Sequence, residues 1–414
     1  MIITVAPNIA LSLLLGLWLL GHILVFGLLS RRANYFSVLV SLLLLTVVYA
    51  TKPATFDLPK YSVYFETGIP PWLTSTYQKR EGWKLEDLSA VEQREYDSRG
   101  FFRNSPGFNF LVDLTRPILP HGTFLPRIIR DRHVSDSLVL LVGILGLALL
   151  STALSLLYLQ LEQSTPKAYF YGVMVLGILG SVFFFVGSQN AVRQFLGTCF
   201  SVLVFAAVVR KKYGLAAVSI TLSLLFHPWS PVFAITSLLF WKARQLSEFF
   251  RSSIIRKIAI NEYVLAIILG VASVVFIKIG IKLGLPYFTT YFHIDTSKEL
   301  FRTAAPIKLA LVGAVLVFTD MIAGRQNREK HVDPISLRRC FLIFLAPLVI
   351  YPEIFSRLFL FYFAAELIYL VWALGHPKRR MQLSGCVVFL SYSLALNALN
   401  ILLDKDWREI MLYG

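Results

Sequence analysis

The chain has 414 residues, of which 56% are hydrophobic and only 15% charged, well below the quarter or so that soluble domains carry. That much apolar surface excludes a soluble fold and requires lipid as solvent. The formal net charge of +16 does not mark a nucleic-acid binder, because Lys and Arg sit in short loops between apolar runs rather than in an aromatic-interleaved patch.

Apolar runs near the length that spans a hydrocarbon core recur from end to end. In chain order they predict spans over 6–29, 34–51, 136–160, 167–187, 190–209, 214–227, 229–244, 258–283, 306–323, 340–352, 355–374 and 383–401. The expected fold is all-α: a polytopic transmembrane bundle of about twelve spans, one integral membrane domain over 1–414 with one large external insert, 52–135. The first run, Ala6 to Leu29, lacks a basic leader and an Ala-x-Ala-like exit, so a retained span is expected rather than a cleaved signal. Cys199, Cys340 and Cys386 lie inside apolar segments without metal-type spacing. They read as small buried hydrophobes, and neither a metal nor a cofactor is expected.

Orientation follows from the short basic connections Arg31-Arg32, Arg210-Lys211-Lys212, Lys242 to Lys257, Arg325 to Arg339 and Lys378-Arg379-Arg380, all expected on the cytoplasmic side. They share one side only if the stretch from Gly214 to Trp241 enters and returns. His227-Pro228-Trp229-Ser230-Pro231 lies in its middle, and two prolines three apart remove backbone donors and push the preceding residues out of helix. Two short membrane helices meeting at the external face are therefore predicted.

Most unusual polar residues then fall on that face. In Ser188-Gln189-Asn190-Ala191-Val192-Arg193-Gln194 a Ser/Asn-rich junction opens an apolar helix, with Asn190 as expected N-cap and Arg193 and Gln194 in the first turn. Free N–H groups and a forked guanidinium suit a phosphate; the same Arg equally suits snorkelling to lipid headgroups. His227, at the outer end of a short helix, suits proton transfer, phosphate contact or a bond between helices. Arg357, just before an aromatic span, needs an internal partner, either Glu353 or Glu366 as a salt bridge or a bound anion.

The insert carries Asp57, Tyr61, Tyr64, Glu66, Trp72, Trp83 and Arg103 among its acids, bases and rings. This mixture suits sugar binding and also any folded interfacial loop; Asp57 and Glu66 are its candidate bases. P-loop, Rossmann, His-Glu-x-x-His and Gly-x-Ser-x-Gly patterns are absent.

These residues resemble a known pattern, the EpsG-like group of Wzy-type polymerases of bacterial exopolysaccharide, capsule or O-antigen. Asn190-x-x-Arg193-Gln194 opening a membrane helix, the basic loop Arg210-Lys211-Lys212 and Phe226-His227 closing the next helix carry the likeness. Arg357-x-x-x-x-Tyr362 and Asp57-x-x-x-Tyr61-x-x-Tyr64 are similar to two further family segments. Where the family often has an acid before Gly-Phe/Tyr, this chain departs, reading Arg103-Asn104-Ser105-Pro106-Gly107-Phe108.

The resemblance implies a GT-C-like glycosyltransferase of the bacterial inner membrane, working at its periplasmic face. It would transfer a growing glycan from undecaprenyl diphosphate to a sugar hydroxyl of a lipid-linked repeat unit, beside a flippase and a chain-length regulator. On that reading Arg193 and Arg357 take the diphosphate, and His227 and Asp57 are the candidate bases. Asn190, Gln194, Tyr61, Tyr64, Glu66, Arg103 and Tyr362 bind or orient glycan. A lipid-linked glycan ligase or single-sugar transferase is the near alternative; a flippase would instead need polar residues through the bilayer midplane.

Overall fold

The computed structural model describes residues 58–68, 105–122, 135–158, 167–179, 181, 183–184, 187–188, 191–249, 261–283, 299–323, 333–376, 378–388 and 391. Among these the backbone is helix, turn and bend, with no strand. The helices are α1 Leu58–Thr67, α2 Pro106–Thr115, α3 Asp136–Leu157, α4 Lys167–Leu179, α5 Val192–Val209, α6 Tyr213–Phe226, α7 Pro231–Phe249, α8 Glu262–Lys282, α9 Glu299–Ala323, α10 Pro334–Leu345 and α11 Pro352–Gly375. A 3-10 turn, Ala346–Ile350, joins the last two.

Among the described residues, five helices are long and apolar enough to cross a membrane: α3, α5, α8, the Ala305–Ala323 part of α9 and the Arg357–Gly375 part of α11. The predicted spans 6–29 and 34–51 lie outside the described residues, as does most of 383–401.

The helix ends follow local chemistry. Asn261 caps α8 by accepting from the N–H groups of Tyr263 and Val264, at 3.1 and 2.9 Å, so two of the donors that a helix start leaves open are satisfied. Asp333 caps α10 through the Ile335 N–H at 3.0 Å, with Pro334 at the first helical position, where its missing N–H costs nothing. At α5 the cap position is Ala191, with no side-chain bond. The helix starts one residue later than expected, and Asn190 lies outside the described residues.

The described helices divide into two compact units. The first comprises α1, α2, α3, α5, α6 and the first turn of α7. Its centre is α5, 83% buried over its apolar window and packed against α3 and α6. Arg210, just past α5, donates from Nε to the Leu156 carbonyl at 2.5 Å and from Nη2 to the Leu157 carbonyl at 3.1 Å. A cation thus closes the negative C-terminal end of α3, and the C-terminal ends of α3 and α5 lie at the same level. The N-terminal ends of both helices therefore share the opposite end of the unit.

The return predicted at His227 is present. Helix α6 has 14 residues, about 21 Å at 1.5 Å per residue, too short for a hydrocarbon core of about 30 Å. The chain turns at His227–Ser230 and α7 runs back, so that Ala234 joins Val204, Ala207 and Ala216 in one buried apolar cluster.

The second unit comprises most of α4, the rest of α7 and α8 to α11. Helix α11 is its core, 94% buried over its apolar window, whereas α8 and α9 are each 22% buried. Exposed Val264, Ile267, Ile268, Val271, Val275 and Phe276 give α8 an outer face that is apolar, as a lipid-facing surface must be.

Two sequence expectations change here. The predicted span 340–352 is not one helix: α10 begins earlier, at Pro334, and tightens into the 3-10 turn at Ala346. Pro347 lacks the N–H that an α-helix would need there, and Pro352 opens α11 instead. The second change concerns Arg338, which counted as part of a cytoplasmic basic loop. Arg338 lies inside α10, completely buried, so its charge is an internal partner rather than a topology signal.

Candidate functional site

Arg193 occupies the first turn of α5, half-buried. Its Nη1 donates to the Ser105 hydroxyl at 3.0 Å, and its guanidinium carbon lies 5.1 Å from the centre of the Tyr61 ring. Ser105 is buried, at φ 49°, the left-handed region that costs a non-glycine residue on the order of 1–3 kcal/mol. Pro106 and α2 follow directly, so the strained corner delivers a hydroxyl to Arg193 and starts a helix in the same step.

The same corner reaches the end of α6. A Cβ on Gly107 would lie 3.0 Å from Leu225 Cβ and 3.1 Å from Phe226 Cδ2, a spacing that only a glycine meets without displacement. Phe108 then sets its ring edge-on to Phe226 at 6.5 Å and to Tyr61 at 4.9 Å. Such aromatic edge contacts hold orientation as well as burying area.

His227 is the residue after α6, in extended conformation, its N–H bonded to the Ser223 carbonyl at 3.0 Å. It packs against Gly197, four residues beyond Arg193 and so on the same face of α5. A Cβ at Gly197 would sit 3.2 Å from His227 Cβ and 2.5 Å from the Ser230 hydroxyl. Arg193 and His227 therefore come to one end of this unit from adjacent helices.

A buried set of hydroxyls that sequence reasoning missed holds the His227 turn in place. Ser201 Oγ lies 2.7 Å from Ser223 Oγ and 2.6 Å from the Ser230 carbonyl, while Ser223 Oγ lies 2.8 Å from the Gly197 carbonyl. Two hydroxyl protons serve three short contacts, so at any moment one of the three is without a proton of its own. Ser230 Oγ reaches the Gln194 carbonyl at 3.3 Å, and the Gln194 side chain is itself buried. The signal in the sequence was the spacing Gly197, Ser201 on one helix against Ser223, Ser230 around the proline turn.

The remaining insert residues serve α1. Tyr64 donates to Asp113 Oδ1 at 2.9 Å. Glu66 accepts from the Gly122 N–H at 3.0 Å and meets His121 Nδ1 at 3.0 Å. Partial burial pushes the Glu66 carboxyl up, but the Gly122 N–H, the Ser135 hydroxyl and His121 together outweigh it and hold the group below the usual carboxylate range. Asp57, Asn190 and Arg103 lie outside the described residues.

Arg357 and Tyr362 belong to α11 in the second unit. Arg357 is half-buried. Tyr362 is fully buried, stacked on Phe359 at 5.6 Å. Glu366, one of the two acids expected for Arg357, instead accepts from Arg338 Nη1 at 3.3 Å. Arg338 Nη2 donates to Thr319 Oγ1 at 2.8 Å and to Asp320, and its guanidinium lies 3.6 Å from the Tyr369 ring centre. Arg339 adds a bond from Nε to Asp320 Oδ2 at 2.7 Å. Two arginines and two carboxylates thus neutralise one another between α9, α10 and α11.

Cys199, Cys340 and Cys386 are buried and unbridged. Among the described residues no group of three His, Cys, Asp or Glu side chains is placed to hold a metal. The chain matches no family model. It matches no curated protein and no solved structure.

Proposed function

We propose that this chain is a membrane glycosyltransferase of the polysaccharide-polymerase type, a GT-C-like bundle of about twelve spans in a bacterial inner membrane. Its substrate is an undecaprenyl-diphosphate-linked glycan, and its chemistry lies at the periplasmic face. The observation that supports the reading is the meeting of Arg193 and His227 at one end of a unit, through the Gly197 contact.

The reaction asks for two things at that place. The bond from anomeric carbon to phosphate oxygen breaks, its electron pair leaving on the diphosphate, and a guanidinium offers paired donors to that growing charge. The acceptor hydroxyl forms the new bond and releases a proton to a base, for which His227 and Asp57 are the sequence candidates. Arg357 is the second arginine that the sequence pattern assigns to diphosphate.

Incubating purified protein with its lipid-linked repeat unit should give a ladder of products on a gel. Arg193→Ala should abolish the ladder, and Arg357→Ala, assayed separately, should shorten or abolish it. If Arg193→Ala inserts correctly and leaves polymer length unchanged, the assignment of Arg193 fails. For the turn, a cysteine placed at Trp229 should label from outside, and protection there would remove the periplasmic assignment.

A further inference from the structure

A second histidine stands ready for proton transfer on the same unit. His121 is exposed at the end of the segment after α2, its side chain 46% accessible, while its Glu66 partner is 27% accessible. The Glu66 carboxylate is an acceptor at both oxygens, one taken by the Gly122 N–H at 3.0 Å and one facing His121 Nδ1 at 3.0 Å. An ionised carboxylate can only accept, so Nδ1 carries a proton, and in the neutral form of the ring the lone pair is then on Nε2. The Phe65 ring, 5.6 Å from the imidazole centre, backs the pair.

Three elements build this corner. Glu66 comes from the last turn of α1. Gly122, at φ +89°, turns its N–H onto the carboxylate in a conformation that L side chains rarely adopt, and its carbonyl accepts from the Asp136 N–H at 3.3 Å. The Ser137 hydroxyl at the start of α3 donates to the Pro120 carbonyl at 2.5 Å. The turn carrying His121 is therefore fixed to α1 and to the N-terminal end of α3, the end of the unit at which α5 presents Arg193. Along α1, Glu66 lies five residues from Tyr61, whose ring receives the Arg193 guanidinium. Five residues advance about 7.5 Å along the axis and turn about 140° around it, so Glu66 leaves α1 from a different face than Tyr61.

We propose that His121 is a catalytic base for the acceptor hydroxyl, with Glu66 as the residue that positions it. The inference rests on the glycosyltransferase reading above and sets His121 beside His227 and Asp57 as a proton acceptor. The acceptor oxygen attacks the anomeric carbon, the diphosphate leaves with the bonding pair, and the hydroxyl proton passes to His121 Nε2 and then to water. Glu66 fixes the ring's tautomer and offsets the positive charge that forms on it, as a carboxylate does behind any histidine base.

The test uses full-length protein and the ladder assay, with Arg193→Ala in parallel. His121→Ala should lower turnover by about 10²-fold or more while leaving KM within a few-fold. Added imidazole should restore part of the rate, since the vacated site is open to solvent. Glu66→Gln should slow the wild-type background and cost nothing further in the His121→Ala background. His121→Gln, which keeps a polar group beside Glu66 but cannot take the proton, should be as slow as His121→Ala and indifferent to imidazole. Full turnover in His121→Ala, or a loss that imidazole leaves where it was, overturns the role of His121; with Arg193→Ala inactive, the polymerase reading survives. A wild-type protein that makes no ladder overturns both.

Discussion

Gly197 on α5 is the surface against which His227 packs: a Cβ there would stand 3.2 Å from His227 Cβ, and 2.5 and 2.9 Å from the Ser230 hydroxyl and Cβ. Both neighbours belong to the turn that the buried serines hold, so neither yields cheaply. Gly197→Ala should raise helix propensity slightly and still lose stability, by about 1–3 kcal/mol of overpacking. A thermal midpoint in detergent measures the loss. Turnover should fall further than stability explains, because the turn displaced through Ser230 is the one that carries His227.

The buried cluster in the second unit gives a sharper sign. Arg338 is completely buried, and Glu366 beside it has 4% relative exposure. Replacing Arg338 with Met leaves Glu366 facing a hydrocarbon chain, while Asp320 keeps Arg339. Breaking one side of such a pair costs about 3–5 kcal/mol. Arg338→Met should therefore fall out of detergent-stable preparations, measured by size-exclusion recovery after heating. Adding Glu366→Gln should recover part of the loss; a double variant no more stable than the single one would show that Glu366 does not depend on Arg338.

The Glu66 corner predicts a pH response. Its folded carboxyl titrates below the ordinary value of 4.5. A group lowered on folding contributes stability that is present above the unfolded value and lost as pH falls through the folded one. The Pro120–Gly122 turn should therefore hold from neutral pH down to about 4.5 and loosen below it. Amide exchange at Gly122, whose N–H the carboxylate accepts, should accelerate on acidification beyond its intrinsic rate. Glu66→Gln should remove that acid transition.

The helical architecture and the return at His227 were legible because both rest on local rules: apolar runs of membrane length, and two prolines three residues apart. Arg193 and Gln194 were legible in the first turn of α5 for the same reason. What escaped depended on contacts between distant segments. Arg338 and Arg339 look like a basic loop in a one-dimensional reading, and only the approach of Asp320 and Glu366 from two other helices makes Arg338 an interior charge. Ser105 carries no signal beyond preceding a proline, yet its hydroxyl meets an arginine 88 positions away. His121 and Glu66, separated by 55 positions, become a pair only through the α1–α2 packing. The ends of α10 are not legible in the sequence because Arg338-Arg339 reads as a loop and Pro347 sits within an otherwise apolar run.

The break between α10 and α11 supplies a last measurable contrast. Helix α8 passes so close to it that a Cβ on Gly270 would lie 2.6 Å from the Phe344 carbonyl oxygen and 3.1 Å from Pro347 Cγ. A backbone carbonyl next to a proline-tightened turn has little freedom to move. Gly270→Ala should therefore lose about 1–3 kcal/mol through overpacking, despite the helix propensity it gains. Gly313 on α9 is the matched control, since a Cβ there meets only Leu342 Cδ2, at an ordinary 3.8 Å. Gly313→Ala should be neutral or stabilising by up to about 1 kcal/mol. In the same detergent the thermal midpoint should fall for Gly270→Ala and hold or rise for Gly313→Ala. Equal shifts would mean that α8 does not press on the break, and that the 3-10 turn is set by Pro347 and Pro352 alone.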